Sequence, residues 1–521
     1  MLNNVRPYIT KDEPFGPIDS GDIDSSDLKA LLALFEKHNW SYKNLHSRPS
    51  IIIGRRGSGK THYLRSVFFD QQYDYHVEIR TPRVLGQVVN AIQKMSTEVV
   101  FSEMVSELWE NILWIAVLLE IRNHQVLEPD DLNVVNAYLD KIRVRKHDTV
   151  DDVLRNVAEM LEQIVMKNEV TSADFLWGAN KINLEDAKSA VLQSLKKKGK
   201  RFAILMDSLD DFQLDIPSVE RALQGLLKIV GSMNKPRDLV DIRFCLPSEL
   251  YQQFMKLSSN PNKDFRRALR LQWTASELVL IGAQRLMFYL ALEHQDFYRS
   301  YSSLDLTKRN DALTLFRAVL PEKITNHVGY HEETMSYILR HTQLLPRHFV
   351  ILLNSIFKNQ GRAQRSNAFP VSEERIVTGI RQVEDSMVRE IFVAFKLIYP
   401  NAEETCRRCL PELGHKFTMG DLHRVFTRHG KAVFGSDSLF EFQRMLLEIG
   451  AIGRVMPNNK ESDIYIKGNF EYMVEHQLSL SQDDELCVHP LFSGIFHGSG
   501  KQERPVYPYG SVLEEDDDRD N

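Results

Sequence analysis

The residues of this 521-residue chain whose types and spacing could do chemistry concentrate in one stretch: Gly54, Arg55, Arg56, Gly57, Ser58, Gly59, Lys60 and Thr61. Gly54, Gly59, Lys60 and Thr61 satisfy the pattern G-x-x-x-x-G-K-[ST]. Glycines let the backbone curl until its N–H groups face a polyphosphate, an approach that a Cβ would obstruct. Lys60 would then reach the β- and γ-phosphates, and the Thr61 hydroxyl would turn to Mg²⁺. A second group of the same chemistry is Asp207, which follows the apolar run Phe202–Met206. A carboxylate at the C-terminal end of a buried strand is placed to hold Mg²⁺ through water. Together they predict a Mg²⁺-dependent nucleoside triphosphate site. Hydrolysis also needs a group to orient the attacking water, and beside Asp207 stands Ser208. Asp210 or Asp211 would have to serve instead, or turnover is slow.

These side chains need a particular set of elements behind them. Residues 51–53 are a continuous apolar run, as in a strand buried on both faces of a parallel sheet, and a helix is expected from Thr61 onward. Further strands are expected at 73–79, 239–246 and 269–273. Between the second strand and Phe202 the periodicity is helical, near 84–95, 101–123, 131–146, 150–166 and 184–197. About 100 residues here, 92–198, read as a helical insertion into an α/β core. Its stripe Leu108, Trp109, Ile112, Leu113, Ile115 and Ala116 is expected to pack internally. The basic run Lys196, Lys197, Lys198, Lys200 and Arg201 suits a helix C-terminus better than a nucleic-acid grip. Ser248 or Glu249, after the fourth strand, is a candidate γ-phosphate sensor. Arg266, Arg267 and Arg270 are candidates for a finger into a neighbouring subunit's nucleotide.

The expected domains are a flexible leader at 1–26, an ATPase core at 27–275 and a helical lid at 276–365. A winged-helix-like domain follows at 371–475, then an extension at 476–521 with an acidic, disordered tail. Thr274 and Glu277 form a capping box that opens the lid, and Pro346 suits the first position of a later helix. Arg347, next to it, either faces the γ-phosphate, coupling lid closure to hydrolysis, or faces solvent. The segment 361–370 reads as a linker. Helices at 384–399, 418–429 and 438–449, with a hairpin of 451–456 and 464–467, give the winged outline. Arg424, Arg428, Lys431 and Arg444 could form a basic face there, with DNA or a docking protein as the alternatives. Cys406 and Cys409 have metal-like spacing without a second pair, so packed thiols are the expectation.

Net charge is −6, so no global positive field draws the chain to nucleic acid or an acidic membrane. No apolar run is long enough to span a bilayer, and four cysteines make no disulfide framework, as in a cytoplasmic protein. Asn234-Lys235-Pro236-Arg237-Asp238 misses the guanine-reading spacing by one residue, so GTP is not indicated.

The Gly-Arg-Arg-Gly-Ser-Gly-Lys-Thr loop, the Leu-Met-Asp-Ser-Leu-Asp-Asp strand end and the Trp-Thr-Ala-Ser-Glu-Leu and Leu-Pro-Arg helix starts resemble the signalling and initiator-like branches of the AAA+ and STAND P-loop ATPases. The resemblance covers about residues 27–365, and the first two motifs are the specific ones. It implies ATP as the nucleotide, a helical lid, a winged-helix domain and a switch that oligomerises or controls an effector protein. Several prokaryotic members that this chain resembles act in anti-phage defence, and a DNA-bound initiator or loader is the alternative. The chain departs from the pattern in lacking an acidic residue beside Asp207 and in its long insertion.

Overall fold

The computed structural model describes residues 2–24, 27–34, 49–65, 73–79, 81–94, 102–142, 144, 152, 170–207, 216–233, 238–258, 260–265, 267–326, 329–359, 369–434, 438–456, 465–473, 478–497 and 504–509. Asp210, Asp211, Arg266 and most of the helix expected at 150–166 lie outside them, as do most of the linker and the acidic tail. The chain divides into two compact units. One comprises Asn44–Gly54 and Lys60–Leu271; the other comprises Met1–Lys43, Arg55–Gly59 and Gln272–Asn521.

The first unit is built on five parallel strands, β1 (Ile51–Gly54), β2 (Tyr75–Ile79), β3 (Phe202–Met206), β4 (Val240–Pro247) and β5 (Ala268–Arg270), in the order β2-β3-β4-β1-β5. Both β1 and β3 are buried along their whole length, which is why they read as unbroken apolar runs. The insertion between β2 and β3 contains the helices Ser102–Arg122, Pro129–Lys141 and Val170–Lys198. Its expected internal stripe is buried from Leu108 to Ala116. The helix Ser102–Arg122 packs on Pro217–Met233, where a Cβ on Gly225 would lie 2.6 Å from Val105 Cγ1. Trp109 Nε1 donates to Ala222 O at 2.8 Å across this contact. Burying each such side chain is worth about 1.5–3 kcal/mol, so the insertion is tied into the core and is no loose appendage.

In the second unit, helix Ala275–Glu293 opens with the Thr274/Glu277 capping box, and Pro346 begins helix Pro346–Phe357. Ala275–Glu293 is long and apolar enough to cross a membrane, but most of it is buried within its own unit. A short hairpin, β6 (Lys323–Thr325) and β7 (His331–Glu333), precedes helix Thr334–Arg340. Beyond it, helices Glu373–Phe395, Ala402–Cys409, Met419–Val425 and Leu439–Glu448 lead into a second sheet. This sheet contains β8 (Lys416–Thr418), β9 (Ile452–Val455), β10 (Ile466–Asn469), β11 (Glu485–Val488) and β12 (Val506–Tyr507), in the order β12-β10-β9-β11-β8. The β9–β10 pair is antiparallel, with Gly468 opposite Val455. It is the centre of five strands and not a free two-stranded wing.

The flexible leader expected at the N-terminus is a correction, because residues 2–24 are packed. Val5, Ile9, Phe15 and Ile23 are buried. Arg285, from helix Ala275–Glu293, donates to Phe15 O and Pro17 O at 2.8 Å and to Leu34 O at 3.1 Å. Asn354 holds the same strap through Gly16 O at 2.9 Å and the Phe15 N–H at 2.7 Å. At the other end of the chain, Tyr507 donates to Glu332 Oε2 at 2.5 Å, and Glu332 is paired with buried Arg340 at 3.1 Å. The extension is thus anchored as far as Tyr509, whose hydroxyl donates to Ser336 O at 2.8 Å.

Candidate nucleotide site

Local structure first decides what the loop after β1 can bind. Gly57 and Gly59 have φ of 82° and 88°, a region that costs a residue with a Cβ about 1–2 kcal/mol. The Ser58 N–H donates to Arg55 O at 3.0 Å, closing the turn. Helix Lys60–Arg65 begins immediately afterwards and packs on β1 and β4. That packing carries Thr61 to the C-terminal end of β3, where its hydroxyl lies 3.1 Å from each oxygen of Asp207. Arg65 fixes the helix from the other side, its Nη2 meeting Glu78 Oε1 of β2 at 3.0 Å. Lys60 is buried, at 6% exposure.

Two of the residues singled out for metal binding, Thr61 and Asp207, are thus brought together although 146 positions apart. A hydroxyl and a carboxylate are hard oxygen donors. They are too few to enclose a cation, which is the partial ligand set Mg²⁺ accepts when phosphate oxygens and water complete its shell. The residues present therefore fit a nucleotide with Mg²⁺. Cys406 and Cys409 fit no metal of their own, for no group of three or more metal-binding side chains occurs among the described residues. Burial pushes the Cys409 thiol up to about 12 and Cys406 well above its usual value.

Within the second unit, the loop segment Arg55–Gly59 has contacts that sequence reasoning did not foresee. Trp273 Nε1 donates to Ser58 O at 2.8 Å. The Arg347 N–H approaches Gly57 O at 3.4 Å, and a Cβ on Gly57 would stand 3.0 Å from Arg347 Cβ. The backbone and Cβ of Arg347, at a helix start, thus lie against the loop. Its guanidinium ends on two carboxylates, Nη1 on Glu390 Oε1 and Nη2 on Asp19 Oδ2, both at 2.5 Å. The Arg56 side chain also turns to Glu390, at 3.9 Å, and Arg55 lies over the rings of Tyr472 at 5.3 Å and Phe395 at 5.8 Å. With those side chains so engaged, any phosphate contact by Arg55 and Arg56 falls to their backbone N–H groups. His348 is buried beside them. Burial first, then the charges of Arg55 and Arg347, pull its pKa down to about 3.

The other candidates separate by what they touch. Ser248 and Glu249 form a turn at the end of β4, with Ser248 Oγ donating to Glu249 Oε2 at 3.4 Å. Arg267 lies 3.7 Å from buried Asp241, and Arg270 lies over the Tyr251 ring. The basic run ending the insertion is matched by acids and carbonyls: Lys197 and Lys198 with Glu128, Lys200 with Asp74, and Arg201 with Asp238 O. Within the supposed basic face of the C-terminal region, Arg424 is matched by Asp421, Arg428 by Glu412 and Arg444 by Glu448. Trp273 stood in the sequence only as the first residue of a helix-start motif, and Asp19, Glu390 and Tyr472 carried no sequence signal, because long-range packing alone brings them to Arg347, Arg56 and Arg55.

No family model matches the sequence, and no curated protein matches it. Among solved structures, the Orc1 protein of Aeropyrum pernix in complex with DNA is similar over 90% of this chain and 91% of that chain, at 12% identity and a TM-score of 0.29. A likeness that loose carries no argument, and the assignment of a P-loop α/β core rests on the parallel sheet, the glycine loop and the Thr61–Asp207 pair.

Proposed function

We propose that this chain is a Mg²⁺-dependent ATPase of the AAA+/STAND kind, a switch whose nucleotide state governs self-association or an effector protein, with prokaryotic anti-phage defence as the setting its resemblance implies. The observation that carries the ATPase reading is the meeting of the Thr61 hydroxyl with both oxygens of Asp207 at the first turn of the helix that follows the glycine loop. Backbone N–H groups of the loop and the helix N-terminus bind phosphate oxygens, and Lys60 neutralises the β- and γ-phosphates. Thr61 and Asp207 would hold Mg²⁺, which would supply charge neutralisation on the phosphates. Speaking for a switch is the set of contacts on Arg55–Gly59, since the loop touches Trp273, just before the lid, Arg347 of the lid, and Tyr472 and Glu390 of the C-terminal region. The winged-helix-like region would serve protein docking, because its candidate basic side chains Arg424, Arg428 and Arg444 have acidic partners within their own region. A groove-reading module needs a basic face.

The test is ATP binding and turnover with and without Mg²⁺, together with particle mass in ATP and in ADP. Lys60→Ala abolishes binding, whereas Asp207→Asn keeps ATP and loses the Mg²⁺ dependence. Unchanged ATP affinity in Lys60→Ala refutes the nucleotide site; identical mass and partner binding in ATP and ADP refute the switch. Turnover stimulated by DNA would favour the loader.

A further inference from the structure

Strand β12 is held as a bound peptide is held. It is two residues long and adds to β10 in parallel, Val506 opposite Ile466 and Tyr507 opposite Lys467, with the Ile466 N–H donating to Pro505 O at 2.8 Å. Main-chain pairing of this kind supplies affinity, and fitted side chains supply the choice of sequence. Val506 joins the buried cluster of Ile466, Phe470 and Cys487, and the Tyr507 ring meets Tyr465 edge-on at 5.1 Å. The hydroxyls of Tyr507 and Tyr509 end on Glu332 Oε2 and Ser336 O. Every residue from Pro505 to Tyr509 is buried, while Arg504 is exposed. We infer that the edge of β10, with Glu332, Ser336 and Arg340 beside it, is a docking groove for the segment Pro505–Tyr509 of a second copy of this chain. Self-association is the part of the proposed switch on which this rests, and the groove names the contact that joins two copies.

The groove does not need the segment in order to exist. Glu332 Oε1 accepts from Asn326 Nδ2 at 2.5 Å and from Arg340 Nη2 at 3.2 Å, and Arg340 lies over the Tyr337 ring at 4.8 Å. These residues belong to the β6–β7 hairpin and the helix after it, and the two acceptors stand 175 and 173 positions before the tyrosines they anchor. Lifting the segment away leaves the Glu332–Arg340 pair intact and bares β10 as a sheet edge, a template for another strand. The ligand whose fit the structure displays is the chain's own segment, and a second copy brings the same one. From His497 to Arg504 the extended chain reaches roughly 25 Å, enough to enter a copy lying alongside. Each copy carries one groove and one segment, so the exchange is reciprocal and closes at two copies.

The experiment uses the full chain with Cys487→Ala, which removes the buried thiol that shares a cluster with Val506. Two variants are purified separately, one with Ile466→Cys and one, carrying a size tag, with Val506→Cys. They are mixed, incubated with ATP or ADP, oxidised and run on a non-reducing gel beside the double variant. Neighbouring strands lie about 4.8 Å apart, within the Cα span of a disulfide, so the double variant bridges within one chain. The mixture is expected to give a covalent pair holding one copy of each variant. Adding Tyr507→Phe and Tyr509→Phe to the Val506→Cys copy lowers the yield roughly tenfold or more, because both hydroxyl anchors are gone. A double variant that bridges while the mixture gives no covalent pair means that the segment keeps to its own groove, and overturns the proposal. A double variant that fails to bridge denies the register and overturns it too, as does a covalent pair equally abundant without the hydroxyls. Particle mass in ATP and in ADP separates this from the switch. A mass that responds to nucleotide with no covalent pair leaves the switch without the groove, and a covalent pair indifferent to nucleotide leaves the groove without the switch.

Discussion

Replacing Arg285 isolates what holds the N-terminal strap in place. Its guanidinium is 2% exposed and donates to three backbone carbonyls, those of Phe15, Pro17 and Leu34. In Arg285→Ala those carbonyls lose their donor inside the fold. A buried polar group left unsatisfied costs about 1–3 kcal/mol, so three set an upper range of roughly 3–9 kcal/mol. Burying the cation works in the opposite direction. Desolvation pulls its pKa down to about 9, and removing it relieves several kcal/mol. The difference leaves a net loss of about 1–5 kcal/mol, since the carbonyls left behind are neutral and no buried charge is orphaned. Arg285→Met refills the volume without the donors and should fall between alanine and wild type. Urea unfolding measures the loss, and limited trypsin digestion measures release of the strap through cleavage after Lys11. Unfolding of Arg285→Ala within about 0.5 kcal/mol of wild type, with cleavage no faster, would refute the reasoning.

Four further outcomes follow from the same geometry. Gly57→Ala should destabilise more than Gly59→Ala, because both strain a positive φ but only the former meets Arg347 Cβ, at 3.0 Å against 3.9 Å to Trp273 for the latter; equal thermal shifts would contradict this. Double-mutant cycles on Arg347 should give Glu390, 25% exposed, a larger coupling than Asp19, 44% exposed, for which screening leaves only about 0.5 kcal/mol. His348 is neutral in the fold down to about 3 but titrates near 6.5 when unfolded. The unfolded chain thus binds more protons in that window, so stability is full above about 6.5 and falls as pH drops toward 3. His348→Gln should flatten that slope in pH-dependent unfolding. Tyr507→Phe removes the hydroxyl on Glu332 and should cost about 1.5–3 kcal/mol, read by urea denaturation.

The parts of the fold legible in sequence were those whose cause is local. Ile51–Ile53 and Phe202–Met206 declare buried strands by being apolar throughout, Thr274 and Glu277 satisfy their own helix start, and the glycines mark a curl that other residues resist. Thr61 and Asp207 were legible as chemistry, and the sheet supplies the proximity that spacing alone could not. The N-terminal strap was misread because its apolar residues are sparse and its polar backbone is satisfied by Arg285, some 270 positions away. The second sheet was read only at its central hairpin, since β8 and β12 are three and two residues long and carry no periodicity. The clamp on Arg347 joins residues 19, 347 and 390, a combination that no window along the chain contains.

The anchoring of Tyr507 on Glu332 and of Phe15 on Asn354 has a bearing on how the protein is made. Ser50 to Arg270 can assemble their sheet while synthesis continues, because every strand of it has already left the ribosome by then. The strap has no such option. Phe15 waits for Asn354, and the Glu332–Arg340 pair gains the Tyr507 hydroxyl only when the last described residues emerge. A nascent chain arrested before residue 500 would expose Glu332, Arg340 and the apolar floor of β10 to whichever chaperone or protease arrives first.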